Sequence, residues 1–305
     1  MAKQPTRQDI YTRVTNQIAQ QLEQGVRPWI KPWSVEHTAG RITRPLRHNA
    51  IPYRGVNVLL LWSEALAKGY AAPLWMTYRQ SQELGAQVRK GEHGSLVVFA
   101  DRFTKTETND QGEAVEHAIP FMKGYTVFNV EQIDGLPAHY YAQHSNPLPL
   151  SDRLAHADQF VTATGVIIRH GGNQAYYSPA ADHIQLPPFE AFKDKESYYA
   201  TVLHELTHAT RHATRLERDF GRQRFGDAGY AREELVAELG SAFLCADLGI
   251  TPEIRADHAD YLGHWLKVLA EDHHAIFSVA AHAQRAADYL QGLQPSASSD
   301  SPSSQ

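Results

Sequence analysis

A single cysteine in 305 residues excludes any intramolecular disulfide, so this chain must fold without covalent staples. That residue, Cys245, sits in LGSAFLCADLGI, an apolar helical pattern where a thiol is expected to be buried and inert rather than nucleophilic. No apolar run approaches the length of a membrane span, and the amino-terminal MAKQPTRQDIYTRV lacks the apolar core of a signal peptide. Internal repeats are also missing. These absences lead to the expectation of a soluble protein of a reducing cytoplasm with no membrane partner. Stability has to come from ordinary hydrophobic cores, and the length suggests about two of them.

Charge divides the chain. The formal net charge is −5, but residues 1–147 hold 16 basic against 13 acidic side chains and residues 148–305 hold 13 against 21. Residues 1–105 hold 15 basic and 7 acidic, about +8 for the first third. Between the halves HSNPLPLSD, residues 144–152, interrupts any regular element with two prolines and polar residues, and a linker is expected there. The expected organisation is one domain over 1–147, a second over 148–292, and a disordered Ser/Pro tail over 293–305, where there is nothing to bury.

In the second half, SDRLAHADQFVTATG has helical spacing. VIIRH, QAYYS and HIQLP then read as extended segments of a small antiparallel sheet, divided by GGN and PAAD turns. A helix over about 195–212 follows, with Val202, Leu203 and Leu206 on its apolar side, then one over about 230–248 that Gly249 is placed to stop. Two more helical patterns close the half.

The first of these helices contains HELTH. Residues four apart share a helix face one turn apart, so His204 and His208 can offer ring nitrogens to one ion at about 2.1 Å. Glu205 beside them suits a base that takes a proton from water activated by that ion. A catalytic site needs a third protein ligand. His212 lies eight residues on, about 12 Å from His204 along the axis, too far to share the ion. The metzincin continuation requires Gly and His where Arg211 and Thr214 stand. What remains is REELVAEL on the next helix, with Glu233, Glu234 and Glu238. Glutamate zincins carry a ligand Glu there with an acidic residue four later, and Glu234 followed by Glu238 is similar. Glu234 is taken as the ligand and Glu238 as the group that orients a ligand imidazole. Glu233 is the alternative ligand.

The first half is of another kind. TRQDIYTRVTNQIAQQLEQG opens with a Thr6–Asp9 capping box and spaces Ile10, Val14, Ile18 and Leu22 as a helix. Beyond it, prolines, aromatics and basic residues alternate, and four of the five tryptophans precede residue 76. Such a mixture binds single-stranded nucleic acid, because bases stack on aromatic faces while Arg and Lys follow the phosphates. Trp62 and Trp75 are expected in the core. Trp29, Trp33 and Tyr53, flanked by Arg27, Lys31, Arg47 and Arg54, are expected to contact DNA. Arg89 and Lys90, in the basic turn VRKGEHG before the strand SLVVFA, are expected to contact phosphate.

Taken in order, RVTNQIAQQLEQGVRPWIKPW, YRGVNVLLLW, WMTYRQSQELGAQVRKGEHG, HIQLP, HELTHATRH and YAREELVAELGSAFLCADLGI resemble the ArdC-type antirestriction proteins of conjugative plasmids. The resemblance covers nearly the whole chain apart from the Ser/Pro tail. It implies an α+β protein of two domains, an amino-terminal α/β domain that binds single-stranded DNA, shared with some plasmid primases, and a zincin-like metallopeptidase domain. It implies a divalent metal, zinc by ligand type, on His204, His208 and Glu234, with Glu205 as catalytic base, and a role in protecting incoming plasmid DNA from host restriction. Nothing in the motif shows that a peptide is cleaved. Two readings therefore stand: a protein that coats single strands, with a structural or regulatory metal domain, and a metalloprotease brought by DNA to a host protein substrate.

Overall fold

A computed structural model describes residues 9–30, 43–108, 114–141, 149–221, 227–251 and 258–295. The chain forms two compact units. The first takes the described residues up to 141 together with 266–278, and the second takes 149–265 and the residues from 279 onward. Among the described residues no helix is long and apolar enough to cross a membrane.

The first unit opens with α1, Ile10–Glu23, which buries Val14, Ile18 and Leu22 one turn apart. Its cap is Asp9, whose carboxylate accepts from the backbone N–H of Thr12 at 2.9 Å. Thr6, expected to lead a capping box, lies outside the described residues. On this unit's other segment, Thr15 donates to the carbonyl of His273 at 2.7 Å and the Tyr11 ring stacks on His274 with centroids 3.8 Å apart. Four strands, β1 (Leu46–Arg47), β2 (Leu74–Met76), β4 (Ser95–Thr108) and β5 (Ala114–Asn129), form a sheet in the order β1-β2-β5-β4. Two short strands, β3 (Gln87–Val88) and β6 (Ile133–Asp134), pair separately. Helix α2, Val56–Lys68, is buried from Val58 to Ser63, which is why VNVLLLW carries apolar residues almost without interruption. At the sheet edge, Asn57 accepts from the Val98 N–H at 2.7 Å and donates to its carbonyl at 2.8 Å. Leu74, Met76, Val88, Val130 and Ile133 form a core with Tyr140 of α4, Ala138–Tyr141, while α3, Tyr78–Glu83, is closed by a Thr77–Gln80 capping box. The β4–β5 hairpin is long, paired from Ser95↔Val127 to Thr108↔Ala114.

The second unit begins with α5, Leu150–Ala163, followed by strands β7 (Ile167–His170), β8 (Tyr176–Ser178) and β9 (His183–Leu186). The sheet is mixed rather than antiparallel: β9 lies in the middle, parallel to β7 and antiparallel to β8. Alternating side chains report burial on two faces but not which strand lies beside which. The β8–β9 turn is closed by Asp182, at φ 44°, which accepts from Tyr177 Oη at 2.8 Å and pairs bidentately with Arg215.

Two helices fill the centre of this unit. Helix α6, Lys195–Ala209, is buried continuously from Tyr199 onward, and α7, Ala228–Leu248, buries nearly every residue before Gly249 ends it at φ 68°. The α6 end comes before the expected 212 because Arg215 donates to the carbonyl of Ala209 and the chain turns back there. Close approach of the two helices is written in Gly240: a Cβ at that position would lie 2.5 Å from Thr207 Cγ2 and 2.9 Å from its Oγ1. One residue on, Ser241 Oγ donates to the carbonyl of Ala200 at 3.0 Å. Helices α8, His258–Glu271, and α9, Ala275–Gly292, are the last described elements, and α9 buries Ile276, Val279, Ala283, Ala287 and Leu290. Cys245 is buried, and its burial raises the thiol pKa to about 12, as expected of an inert thiol.

The Gly240 contact predicts that Gly240→Ala will lower stability by about 1–3 kcal/mol despite the better helix propensity of alanine, because it overpacks a helix crossing. Adding Thr207→Ala removes the obstructing atoms and should restore most of the loss. Thermal denaturation of both variants checks this.

Candidate metal centre

The α6–α7 contact brings three donors together. Ligand atoms of His204, His208 and Glu234 all lie within 4.8 Å of one another. His204 Nε2 is 3.7 Å from Glu234 Oε2, and His208 Nε2 is 3.6 Å from Glu234 Oε1. These separations exceed a charge-assisted hydrogen bond. They are close to the spacing of about 3.4 Å between two ligands held tetrahedrally about 2.1 Å from one ion. The imidazoles meet edge to face with centroids 4.9 Å apart. The residues fit a divalent ion.

The opposite ring nitrogens face carboxylates. His208 Nδ1 meets Glu233 Oε1 at 3.1 Å, and His204 Nδ1 faces Glu238 Oε2 at 4.0 Å. This is how ligand imidazoles are oriented with Nε2 toward a metal. Of the two rings, Glu238 faces that of His204. Glu233, the alternative ligand, lies behind His208, while Glu234 lies between the two rings.

Glu233 is itself held by a residue that motif spacing does not reveal. Arg218, 4% exposed, donates to Glu233 Oε2 from Nε at 2.8 Å and to Oε1 from Nη2 at 2.8 Å. Its remaining donors reach Thr210 Oγ1 at 2.9 Å and the Thr207 carbonyl at 3.0 Å. One guanidinium thus ties the end of α6 to the start of α7. Its ten-residue separation from His208, through a loop, follows no helical period, so the sequence carries no signal of it.

Burial works against ionisation here and is overcome by neighbours. Desolvation would raise the Glu233 pKa, but Arg218 and His208 hold it down at about 2. Glu234 is likewise raised by burial and carried far below the usual carboxylate range by His208 and His204. Burial disfavours the His208 imidazolium, yet Glu234 and Glu233 raise it to about 10. The pocket therefore calls for positive charge between its donors. Glu205, next to His204 on α6, is 2% exposed.

The expected DNA contacts fare differently. Trp29 is 1% exposed and Tyr53 7%, so both rings belong to the core and offer no stacking face; burial raises the Tyr53 pKa to about 12. A cation next to an aromatic ring is as compatible with packing as with base contact, and the Arg47 guanidinium does lie 5.6 Å from the Tyr53 ring centroid. Trp62 and Trp75 are core, as read. Arg47, Arg54 and Lys90 are exposed, and Arg27 is half-buried. Arg89 is exposed but forked between Glu92 at 2.8 Å and Asp134 at 3.4 Å, which offsets its charge. Lys31 and Trp33 lie outside the described residues.

Comparison with known proteins matches both units. Residues 8–128 match the N-terminal domain of anti-restriction factor ArdC, and residues 155–282 match a zincin-like metallopeptidase family. The Sinorhizobium fredii protein y4eC is 46% identical over 96% of this chain and 94% of its own length. The Escherichia coli DNA primase TraC is 39% identical over 78% of this chain, which spans only 23% of that primase. The metal-free crystal structure of the antirestriction ArdC protein from the R388 plasmid superposes with a TM-score of 0.78 at 44% identity, covering 94% of this chain and 98% of that one. The Mn(II)-bound structure gives 0.76 at 42% identity.

The Arg218 clamp yields a prediction. Arg218→Ala takes the guanidinium away from buried Glu233 and leaves it only the His208 ring, which should cost about 3–5 kcal/mol of stability. In protein that remains folded at low temperature, divalent-metal affinity should fall about 10–100-fold because Glu233, which orients His208, is no longer held in place. Denaturant titration and metal competition with a chromogenic chelator measure the two effects.

Proposed function

The chain belongs to the ArdC family of antirestriction proteins, and from that premise we propose that it binds single-stranded DNA through its first unit, holds zinc or another divalent ion in its second, and protects incoming conjugative DNA from host restriction. The observation that carries the reading is likeness along nearly the entire ArdC chain, combined with the converging donors of His204, His208 and Glu234. Support for DNA comes from the charge of about +8 in the first third, which favours a polyanion, and from exposed Arg47, Arg54 and Lys90.

His204, His208 and Glu234 are the residues to hold the ion, with Glu238 and Glu233 orienting the imidazoles. The bound ion supplies Lewis acidity. Glu205 is the candidate proton acceptor, since it neighbours the ligands on α6 and is not one of the three converging groups. The second reading, a DNA-recruited zinc metalloprotease acting on a host protein, is favoured by Glu205 itself, because a purely structural metal site has no need of a buried carboxylate next to its ligands.

Antirestriction in cells, scored beside metal content by elemental analysis, separates the readings. His204→Ala should lose the ion, whereas Glu205→Ala should keep it. If Glu205→Ala still protects DNA, protection rests on binding; if protection disappears while metal and DNA binding remain, it requires hydrolysis. Retention of metal by His204→Ala would refute the site.

For DNA, the whole protein titrated with labelled single and double strands should prefer single strands, with little dependence on sequence. Arg47→Ala and Arg54→Ala should each weaken single-strand binding and flatten its dependence on salt. Equal or tighter affinity for duplex would overturn the single-strand assignment.

A further inference from the structure

The β4–β5 hairpin carries aromatic side chains that its own fold does not bury. Phe99 of β4 pairs with Lys123 of β5, and residues two apart on a strand share a face, so Phe121, Lys123 and Tyr125 stand on the same side as Phe99. The Phe99 centroid lies 6.3 Å from those of both Phe121 and Tyr125, and Lys123 Nζ is 5.2 Å from the Tyr125 centroid. Phe99 is 47% exposed, Phe121 37% and Tyr125 41%. At the root of the same face Val97 and Val127 are buried, so the face runs from the core out into solvent. On the reverse face the hairpin meets α1 at Gly124, where a Cβ would come 3.0 Å from Leu96 and 3.7 Å from Ile10. The aromatic side is thus presented in one direction, on a strand pair whose backbone register holds the rings apart.

We propose that this face is a stacking platform for unpaired nucleobases, with Phe99, Phe121 and Tyr125 as the aromatic surfaces and Lys123 as the phosphate contact. The inference rests on the single-strand reading above and gives it a location. Sheets that present two or three aromatics to solvent bind successive bases by stacking, tolerant of sequence because every base has a π-face. A greasy protein partner is less well matched, because the aromatic face itself carries an ammonium, Lys123 Nζ, 5.2 Å from the Tyr125 ring centroid. Asp101, paired with Phe121 on the same face, disfavours phosphate at that end and directs the backbone of the strand past Lys123. Duplex DNA keeps its base faces stacked internally and cannot use such a surface.

The test uses the full chain, a fluorescent oligothymidylate and anisotropy. Phe99→Leu, Phe121→Leu and Tyr125→Leu keep apolar character and remove the π-face; each should weaken single-strand binding roughly 5- to 100-fold. Phe99→Tyr and Tyr125→Phe should bind within about twofold of the parent. Lys123→Gln should reduce the salt slope by about 0.7, the contribution of one phosphate contact to a single strand. Because the three rings are exposed, thermal midpoints should not move. If the parent fails to bind single strands, the proposed function falls and this inference with it. A parent that binds, with leucine variants that bind equally well, overturns the platform alone. A dimer by sedimentation that the leucine variants convert to monomer, with DNA affinity kept, makes the face a contact between copies and also overturns it.

Discussion

Everything at the candidate metal centre depends on the close contact of α6 with α7 at Gly240. His204 and His208 are fixed relative to each other by helix geometry, but Glu234 belongs to another helix, and its carboxylate reaches both rings only because Gly240 lets Thr207 press against the α7 backbone. Ser241, bonded to the Ala200 carbonyl, fixes the slide of one helix along the other. A site built from backbone contact in this way is preorganised, and the order of its donors does not wait for a ligand.

The electrostatics follow from that packing. Glu205, Glu233, Glu234 and Glu238 are all buried on two adjoining helices, and Arg218 is the buried guanidinium that binds into them. Formally the carboxyl groups outnumber the cation by three, an excess that burial makes expensive. Arg218 neutralises Glu233, the carboxylate behind His208, and leaves Glu234 between the two rings. The same groups that orient the imidazoles set where positive charge is wanted.

The sequence made the site partly legible because part of it is local. His204, Glu205 and His208 follow from a four-residue helical interval, and the Glu234–Glu238 pair from a second interval of the same kind. Arg218 is joined to Glu233 through space, and a loop residue has no period to betray it. The three short strands were visible, yet the central place of β9 was not, since alternation carries no information about neighbours. Trp29 and Tyr53 show the limit of composition: aromatic rings among basic residues read alike whether buried or exposed, and here they pack in the core. Phe99, Phe121 and Tyr125 carry no sequence signal, because their common face exists only in the register of the hairpin.

The Asn57 amide has a consequence for colloidal behaviour. Strand β4 is the last in its sheet, and an unpaired outer strand is a template on which another chain can add and self-propagate. By engaging both the N–H and the carbonyl of Val98, Asn57 supplies the hydrogen bonds that a neighbouring strand would otherwise make. The sheet margin is thereby closed at that residue, next to a hydrophobic segment, SLVVF, that would be prone to cross-β growth if left open. One polar side chain at the start of α2 thus acts as a gatekeeper against aggregation at that point of the rim, leaving the flat side of the hairpin available.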